Sequence, residues 1–490
     1  MSRHLRPAAF SLVLLGIIAV HVVYAQALDW LASEQGISIT HNPGSSRLDA
    51  MGGLSICVPD ESNKLDLYWY GDNLSALLWE SDTRQWSIWN RTLTQVNDRY
   101  DAQAVRQRTR LDFSEYGGRM AWRQKGRRFL GTDYNYDVLG RNTSAFDDSK
   151  VRGPWYGVFG GQKIGRVVLG AGLHLSGDNQ DLTTGDVFAI RHYSSGLRFV
   201  GSLAGYAGPI HFGLQTERQA NNISGVSRDE SRFHEDKYTW SRPIEKYVGS
   251  AIWNPSEALR GSFRARSERI DGGQDVRVSW SDRMPQNPGR TNFILRVGTF
   301  SERVRSYETG TRWELRPFES ILLAAEGDYG RVDTRVDEGY NYKGSRRAQD
   351  TKERILRGGS GLSYETSSRR FRVGAEGWYR RYSNEDIMTD DHPKIVARTL
   401  EVRTGAEYFV RDDLALRGGY VRSADDENVD LPRSLGIGDG FTVGAGFLPR
   451  GGLYRLDAAV RWEKVLPNYD GNPRSEARRT LVSLGARFLL

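Results

Sequence analysis

The last eleven residues of the chain, Thr480 to Leu490, limit its fold more than any other stretch. Val482, Leu484, Ala486, Phe488 and Leu490 are apolar, while Ser483, Gly485 and Arg487 between them are not. This is a strand with one apolar face that runs to the final residue, as the closing strand of a bacterial outer-membrane β-barrel does. Leu490 stands where such strands usually end in an aromatic residue, and Phe488 supplies the aromatic ring one pleat earlier.

The other end of the chain agrees. Arg3, His4 and Arg6 form a basic start, Ala8 to Val23 is apolar except for Ser11 and His21, and Val23-Tyr24-Ala25 or Ala25-Gln26-Ala27 offers a small-residue cleavage site. Residues 1–25 therefore read as a signal peptide, and the chain is expected to be exported. A retained helix is the competing reading, but the apolar run falls short of the roughly 20 residues that span a bilayer. No later window approaches that length without charge.

Charged residues make up 26% of the chain and mean hydropathy is negative, which suits a water-soluble protein, yet the 54 Gly, 23 Tyr and 13 Trp are generous. A barrel reconciles the two, because only alternate residues of each strand meet lipid. The single Cys57 excludes an intramolecular disulfide framework. The net charge of +7 raises the question of nucleic acid. Here, however, the basic residues alternate with apolar ones inside strands instead of clustering, so no nucleic-acid partner is expected.

The alternation is cleanest at 453–463, where Tyr454, Leu456, Ala458, Val460 and Trp462 oppose Arg455, Asp457, Arg461 and Glu463. It recurs at Leu400, Val402, Ala406 and Tyr408 against Glu401, Arg403 and Glu407, and at Ile210, Phe212 and Leu214 against His211, Gln215 and Glu217. Backwards from the C-terminus, the stretches between strands alternate long (464–479, 423–437, 383–395, 331–356) and short (449–452, 411–412, 367–368, 316–318). Barrels have short periplasmic turns and longer extracellular loops, which places the long set outside the cell. Reading 301–302 and 270–273 as short outer connections gives thirteen segments from Lys246 onward. Strands near 208–218, 196–205, 186–193, 165–175 and 127–134 bring the total to about 18, within a range of roughly 14 to 20. The fold class is all-β, a transmembrane antiparallel barrel over 85–490.

Residues 28–84 do not read as barrel wall, and part of this segment carries a resemblance. Met51-Gly52-Gly53, then Pro59-Asp60, then Asp72-Asn73-Leu74-Ser75-Ala76-Leu77 resembles the Met-Gly-Gly, Asp, Asn-Pro-Ala-Gly-Leu arrangement that opens barrels of the long-chain fatty-acid transporter superfamily. That superfamily also includes a barrel component of a secretion system. Gly405-Ala406-Glu407-Tyr408, Leu416-Arg417-Gly418-Gly419-Tyr420 and Val443-Gly444-Ala445-Gly446-Phe447 follow in the order such barrels show. Leu74 departs from the expected Pro, and Ser75-Ala76 from Ala-Gly. The resemblance implies that 28–84 folds into the barrel as a plug near hydrophobic-ligand sites, with Met51, Gly52, Gly53, Asp72 and Asn73 as candidate plug or gate residues. A plain tight turn at Met51-Gly52-Gly53, where glycine permits positive φ, is the alternative.

No phosphate-binding loop, zinc pair, Cys-x-x-Cys or nucleophile elbow occurs, so neither enzymatic chemistry nor a cofactor or metal is expected. Asp390-Asp391-His392 reads as a solvated loop before Pro393 rather than an acid-base pair, and Asp425 to Asp430 as an exposed loop rather than a cation site. On the polar phase of the strands, Arg264, Arg277, Arg403, Arg455 and Arg461 with Glu401 and Glu407 are the candidate lumen-lining residues. They would form either a basic aqueous path or a ladder of ion pairs that stiffens the barrel. The expected function is passive transport of a small solute, hydrophobic or amphipathic if the resemblance holds. The expected surroundings are outer-membrane lipid and lipopolysaccharide. Two rivals remain open: a non-enzymatic interaction barrel that anchors or assists a secretion or surface complex with an envelope protein partner, and a barrel-rim enzyme.

Overall fold

The computed structural model describes residues 46–51, 53–57, 85–100, 106–124, 127–143, 149–184, 188–229, 234–273, 277–283, 291–340, 346–386, 395–428, 434–449, 454–467 and 476–489. The signal-peptide reading, Gly52, Asp72, Asn73 and Asp390-Asp391-His392 lie outside the described residues. Before the wall comes one short helix, α1 (Ser46–Ala50). The strands follow as β1 (Gln85–Tyr100), β2 (Arg106–Gln124), β3 (Arg128–Thr143), β4 (Ser149–Ile164), β5 (Val167–Thr184), β6 (Phe188–Ala207) and β7 (Ile210–Asp229). Next are β8 (His234–Ser241), β9 (Ile244–Trp253), β10 (Leu259–Gly272), β11 (Arg277–Arg283), β12 (Thr291–Phe318), β13 (Ile321–Tyr340) and β14 (Arg346–Glu365). The wall ends with β15 (Phe371–Asp386), β16 (Ile395–Arg411), β17 (Leu414–Asn428), β18 (Ser434–Phe447), β19 (Tyr454–Pro467) and β20 (Glu476–Leu489).

Every neighbouring pair is antiparallel, and β1 pairs with both β2 and β20, so the sheet closes on itself. The C-terminal strand is the one that seals the ring, with Trp86 opposite Phe488 and Ile88 opposite Ala486. The 20 described segments build a wall of 18 strands, because two strands are each interrupted once. Both β8 and β9 pair with β7 in one continuous register, Asn222 opposite Ser241 and Gln219 opposite Ile244, across Arg242 and Pro243. Pro243 has no N–H to give to a ladder, which accounts for the break. Likewise β10 and β11 share a single register on β12, with Gly272 opposite Glu302 and Arg277 opposite Val297. Gly273, at φ +93°, donates its N–H to Ser241 O at 2.9 Å, which ties the two interruptions together. Arg242 closes the seam by donating to Glu302 at 2.6 and 3.0 Å.

The expected total of 18 is therefore correct, but its parts are not. Residues 301–302 and 270–273 are not connections: the first lies inside the 28-residue β12, and the second spans the end of β10 and the start of its break before β11, which keeps the same register on β12. The two strands expected near 186–193 and 196–205 are one strand, β6. These overcounts are balanced by β1, β2 and β4, which the alternation missed. The long connections are also shorter than expected, because the hairpins continue upward. The β13–β14 ladder runs to Gly339 opposite Arg346, so only 341–345 lies between the two strands. Asn384, Glu385 and Asp386 belong to β15, and Asp425, Asp426 and Glu427 to β17, rather than to loops. A membrane strand needs about 9–11 residues, so strands of 16 to 28 carry polar residues on both faces beyond the bilayer.

The two faces of the wall are chemically distinct. Leu400, Phe441 and Phe318 point outward, at 57%, 62% and 66% exposure, with Val402, Tyr408, Leu416, Val443, Leu456, Trp462 and Leu484 on the same side. At one rim the rings of Phe447, Tyr454 and Phe488 lie 6.1 and 6.3 Å apart in succession, and Trp313 packs edge-on against Phe263 at 5.5 Å. An apolar band edged by aromatic rings is the surface a lipid bilayer selects. Closure leaves no strand edge unpaired, which the hydrocarbon core requires of any spanning sheet. The fold is that of an outer-membrane β-barrel. No helix among the described residues is long and apolar enough to cross a membrane, which says nothing against crossing by strands.

Candidate functional site

Many inward positions of the C-terminal half are charged, and many of the described charges are ion-paired. Several pairs join residues two apart on one strand, where side chains share a face: Arg455 with Asp457 at 2.6 Å, Arg312 with Glu314 at 3.0 Å, Arg266 with Glu268 at 2.6 Å, and Arg403 with Glu401. Others cross strands, as Arg417 does to Glu407 at 2.8 Å and to Asp457 at 2.7 Å. Of the candidate lumen residues, Arg264 donates to Glu308, Arg461 pairs with Glu463, and Glu407 is gripped by Arg47, Arg417 and Arg372. Arg277 lies on β11, and its side-chain surroundings fall outside the described residues.

Residues 46–51 and 53–57 lie against this inner face. Helix α1 ends at a turn in which Met51 N–H and Gly53 N–H both donate to Leu48 O, at 3.0 and 2.8 Å. Gly53 sits at φ +77°, a left-handed backbone that glycine adopts without strain, and its N–H makes the six-to-one hydrogen bond that closes this turn. Leu48, Met51, Leu54 and Cys57 form one buried apolar cluster, and Ile56 joins Ala324 and Trp378 in a second. An apolar island thus sits inside a charged lumen.

The wall accommodates this segment by omitting side chains. A Cβ added at Gly405 would lie 2.2 Å from Met51 O, and one at Gly444 would lie 2.4 Å from Ala50 Cβ. At Gly359 it would lie 2.9 Å from Ile56 Cδ1, at Gly374 3.0 Å from Cys57 Sγ, and at Gly361 3.0 Å from Cys57 Cβ. Gly374, Gly405 and Gly419 are ladder neighbours, so they form a flat step across β15, β16 and β17. The glycine-bearing motifs of the C-terminal half, Gly405-Ala406-Glu407 and Val443-Gly444-Ala445, are thereby sockets for Met51 and Ala50.

Polar contacts complete the fit. Arg47 makes a two-pronged pair with Glu407, and Asp49 accepts from Arg91 of β1 at 3.2 Å. Thr442 Oγ1 donates to Ala50 O at 2.9 Å, Arg403 Nη1 to Gly53 O at 2.7 Å, and Ser363 Oγ to Cys57 O. Glu376, 2% exposed, accepts the N–H of Ser55 and of Cys57 at 2.8 Å each on Oε1, with the Ile56 N–H on the same oxygen. Arg312 donates to the carbonyls of Ser55 and Ile56 at 3.2 and 2.9 Å. Burial first, and then the Glu376 carboxylate, push the Cys57 thiol up from its ordinary value, so almost none of it is the reactive thiolate.

Of the candidate plug, Gly53 thus meets Arg403 and Arg461 of the candidate lumen set, while Met51 sits over Gly405. Sequence reading gave no role to Glu376, Arg47, Arg312, Ser363 or Thr442, and it passed over the glycine row. The available signal was glycine recurring at inward phases of β14, β15, β16 and β18.

No protein-family profile and no curated sequence matches the chain. Among solved structures it is similar to the Ralstonia pickettii toluene transporter TbuX, at 11% identity and TM-score 0.40 over 92% of this chain and 100% of that one. It is similar also to the P. putida toluene transporter TodX, at 11% identity and TM-score 0.35 over 91% and 98%. A third is the copper transporter OprC, at 11% identity and TM-score 0.46 over 83% and 80%. Superpositions this loose add nothing to the assignment of an outer-membrane barrel, which rests on the closed ladder and the two-faced wall of the chain itself.

Proposed function

We propose that this barrel passes a small hydrophobic or amphipathic solute across the outer membrane without catalysis, and that its own N-terminal segment restricts the lumen. The observation that carries the reading is the apolar island of Leu48, Met51, Leu54, Ile56 and Cys57 held inside a charged barrel. The charged wall is largely neutralised by its own ion pairs, so it does not present the bare basic lining that would concentrate anions. Seated, these side chains and Trp378 are buried against each other and the wall, so an apolar solute would meet its complementary surface as the inner segment shifts. The resemblance of the Met51-Gly52-Gly53 region to long-chain fatty-acid transporter-like barrels points the same way, and monoaromatic hydrocarbons are the first solutes to try.

The test is uptake of radiolabelled toluene by cells with an intact lipopolysaccharide leaflet, with and without the protein, paired with planar-bilayer recording of the purified barrel. The reading expects faster uptake and little steady ion conductance. A large, steady conductance without selective uptake would identify an open aqueous porin. Neither uptake nor conductance, with envelope proteins co-purifying, would favour the anchoring role.

A further inference from the structure

The contacts that hold 50–57 differ in what they read. Glu376, Arg312, Arg403, Ser363 and Thr442 all bind main-chain groups, so the wall recognises a bent backbone whose successive N–H groups converge, and leaves the side chains to the glycine sockets. We infer that Glu376 and Arg312 form a main-chain clamp, a binding site on β12 and β15 for the bent segment 55–57, and that this clamp sets how often the segment leaves the lumen. Its consequence for passage rests on the reading that the segment obstructs the barrel; its existence does not.

The distribution of partners explains why the clamp and not the Arg47 ion pair is the decisive hold. If Arg47 withdrew, Glu407 would keep Arg417 at 2.8 Å and Arg372 at 3.6 Å, so the buried carboxylate would stay paired. If 55–57 withdrew, Glu376 would lose three backbone donors at once. Its remaining donor among the described residues is Trp378 Nε1, at 3.1 Å. Glu376 would then keep the field of Arg403 and one neutral donor, a poorer set for a buried carboxylate than three N–H groups, and removing one partner of a buried charged contact costs more than the contact itself contributes. Arg312 works from the opposite side, because the carbonyls of Ser55 and Ile56 face it while their N–H groups face Glu376. The two charges therefore align both edges of the same peptide units, an arrangement that a shift along the wall would break as a whole.

The experiment uses the full chain and two thiol reporters. One is native Cys57. The other is Ala50→Cys in a Cys57→Ser background, at the far end of the segment and equally buried. The second reporter is needed because Glu376→Gln alters the charge beside the Cys57 thiol directly. Alkylation by a small neutral maleimide is followed by mass, and barrel integrity by heat-modifiable migration. The clamp predicts that E376Q speeds alkylation of both reporters about tenfold or more, while Glu365→Gln, which removes a carboxylate that pairs with Arg372 and does not touch the segment, leaves both rates unchanged. Faster labelling of Cys57 alone, with the residue-50 reporter still protected, would mean a local charge effect and overturn the clamp. So would unchanged rates in a folded E376Q barrel. Should E376Q yield no folded barrel, Arg312→Gln carries the same test through the carbonyl side; failure of both to fold would make these wall residues and likewise overturn it. Toluene uptake is measured separately, so a clamp that releases without changing uptake refutes the transport reading and leaves the clamp standing.

Discussion

Gly405→Ala is the smallest change that challenges the seat of the inner segment. The added Cβ would lie 2.2 Å from Met51 O, 2.7 Å from Met51 C and 3.0 Å from Met51 Cα. All three are backbone atoms, so no side chain can swing aside and the segment itself must move. The wall has no reason to suffer, because Gly405 sits between Gly374 and Gly419 in the ladder and alanine suits a strand better than glycine. Overpacking a filled interior costs about 1–3 kcal/mol, which becomes roughly a 5- to 150-fold rise in the population with the segment displaced. Cys57 alkylation reads that population when displacement is fast relative to reaction, so the rate should rise by the same factor. Gly377→Ala is the control, since a Cβ there meets nothing within 4 Å, and its rate should match the parent. A folded G405A barrel with Cys57 protected as in the parent would refute the packing argument.

The faces of β19 give a second prediction: Ala458→Arg, pointing to lipid, should lower folding stability in vesicles by about 2–4 kcal/mol, while Ala459→Arg, on the buried inner face, should escape that lipid penalty. Equal lipid-dependent losses in a denaturant series would defeat the register. Topology gives a third. In a Cys57→Ser background, cysteines at Ser345 or Asn468 should react with an impermeant maleimide on whole cells and one at Ser367 should not; the reverse pattern would invert the barrel. Fourth, Gly374→Cys would place its Cβ 3.0 Å from Cys57 Sγ, close enough for a disulfide with its S–S bond of about 2 Å. Oxidation should tether the segment and slow solute uptake, and reductant should restore it; a tether that forms without affecting uptake would separate the segment from the path.

The wall was legible wherever lipid imposes alternation. Around 453–463 the apolar phase read from sequence is the exposed phase of the structure, because a strand inside the bilayer has only two environments. Legibility failed above the bilayer, where water bathes both faces. Ser301-Glu302 and Asp271-Gly272-Gly273 looked like turns for that reason, although the first pair is mid-strand. The inner site was legible only in part. Met51 and Gly53 stood out through a motif, but Glu376 binds backbone more than 300 residues away, and a backbone partner leaves no trace in residue type. The sockets were hidden for a related reason: glycine in a sequence suggests a bend, whereas Gly374 and Gly405 lie in regular extended strand.

The central claim is that the N-terminal segment obstructs a wall that closes without it, and single-channel recording of the chain lacking 28–83, with its first 27 residues retained, tests this most directly. Every ladder from β1 to β20 survives the deletion, so the variant should remain a heat-modifiable barrel. Emptying a plugged lumen should raise conductance several-fold over the full chain. A variant that folds but conducts no more than the full chain would contradict the account, and one that fails to form a barrel would show that these residues are part of the wall.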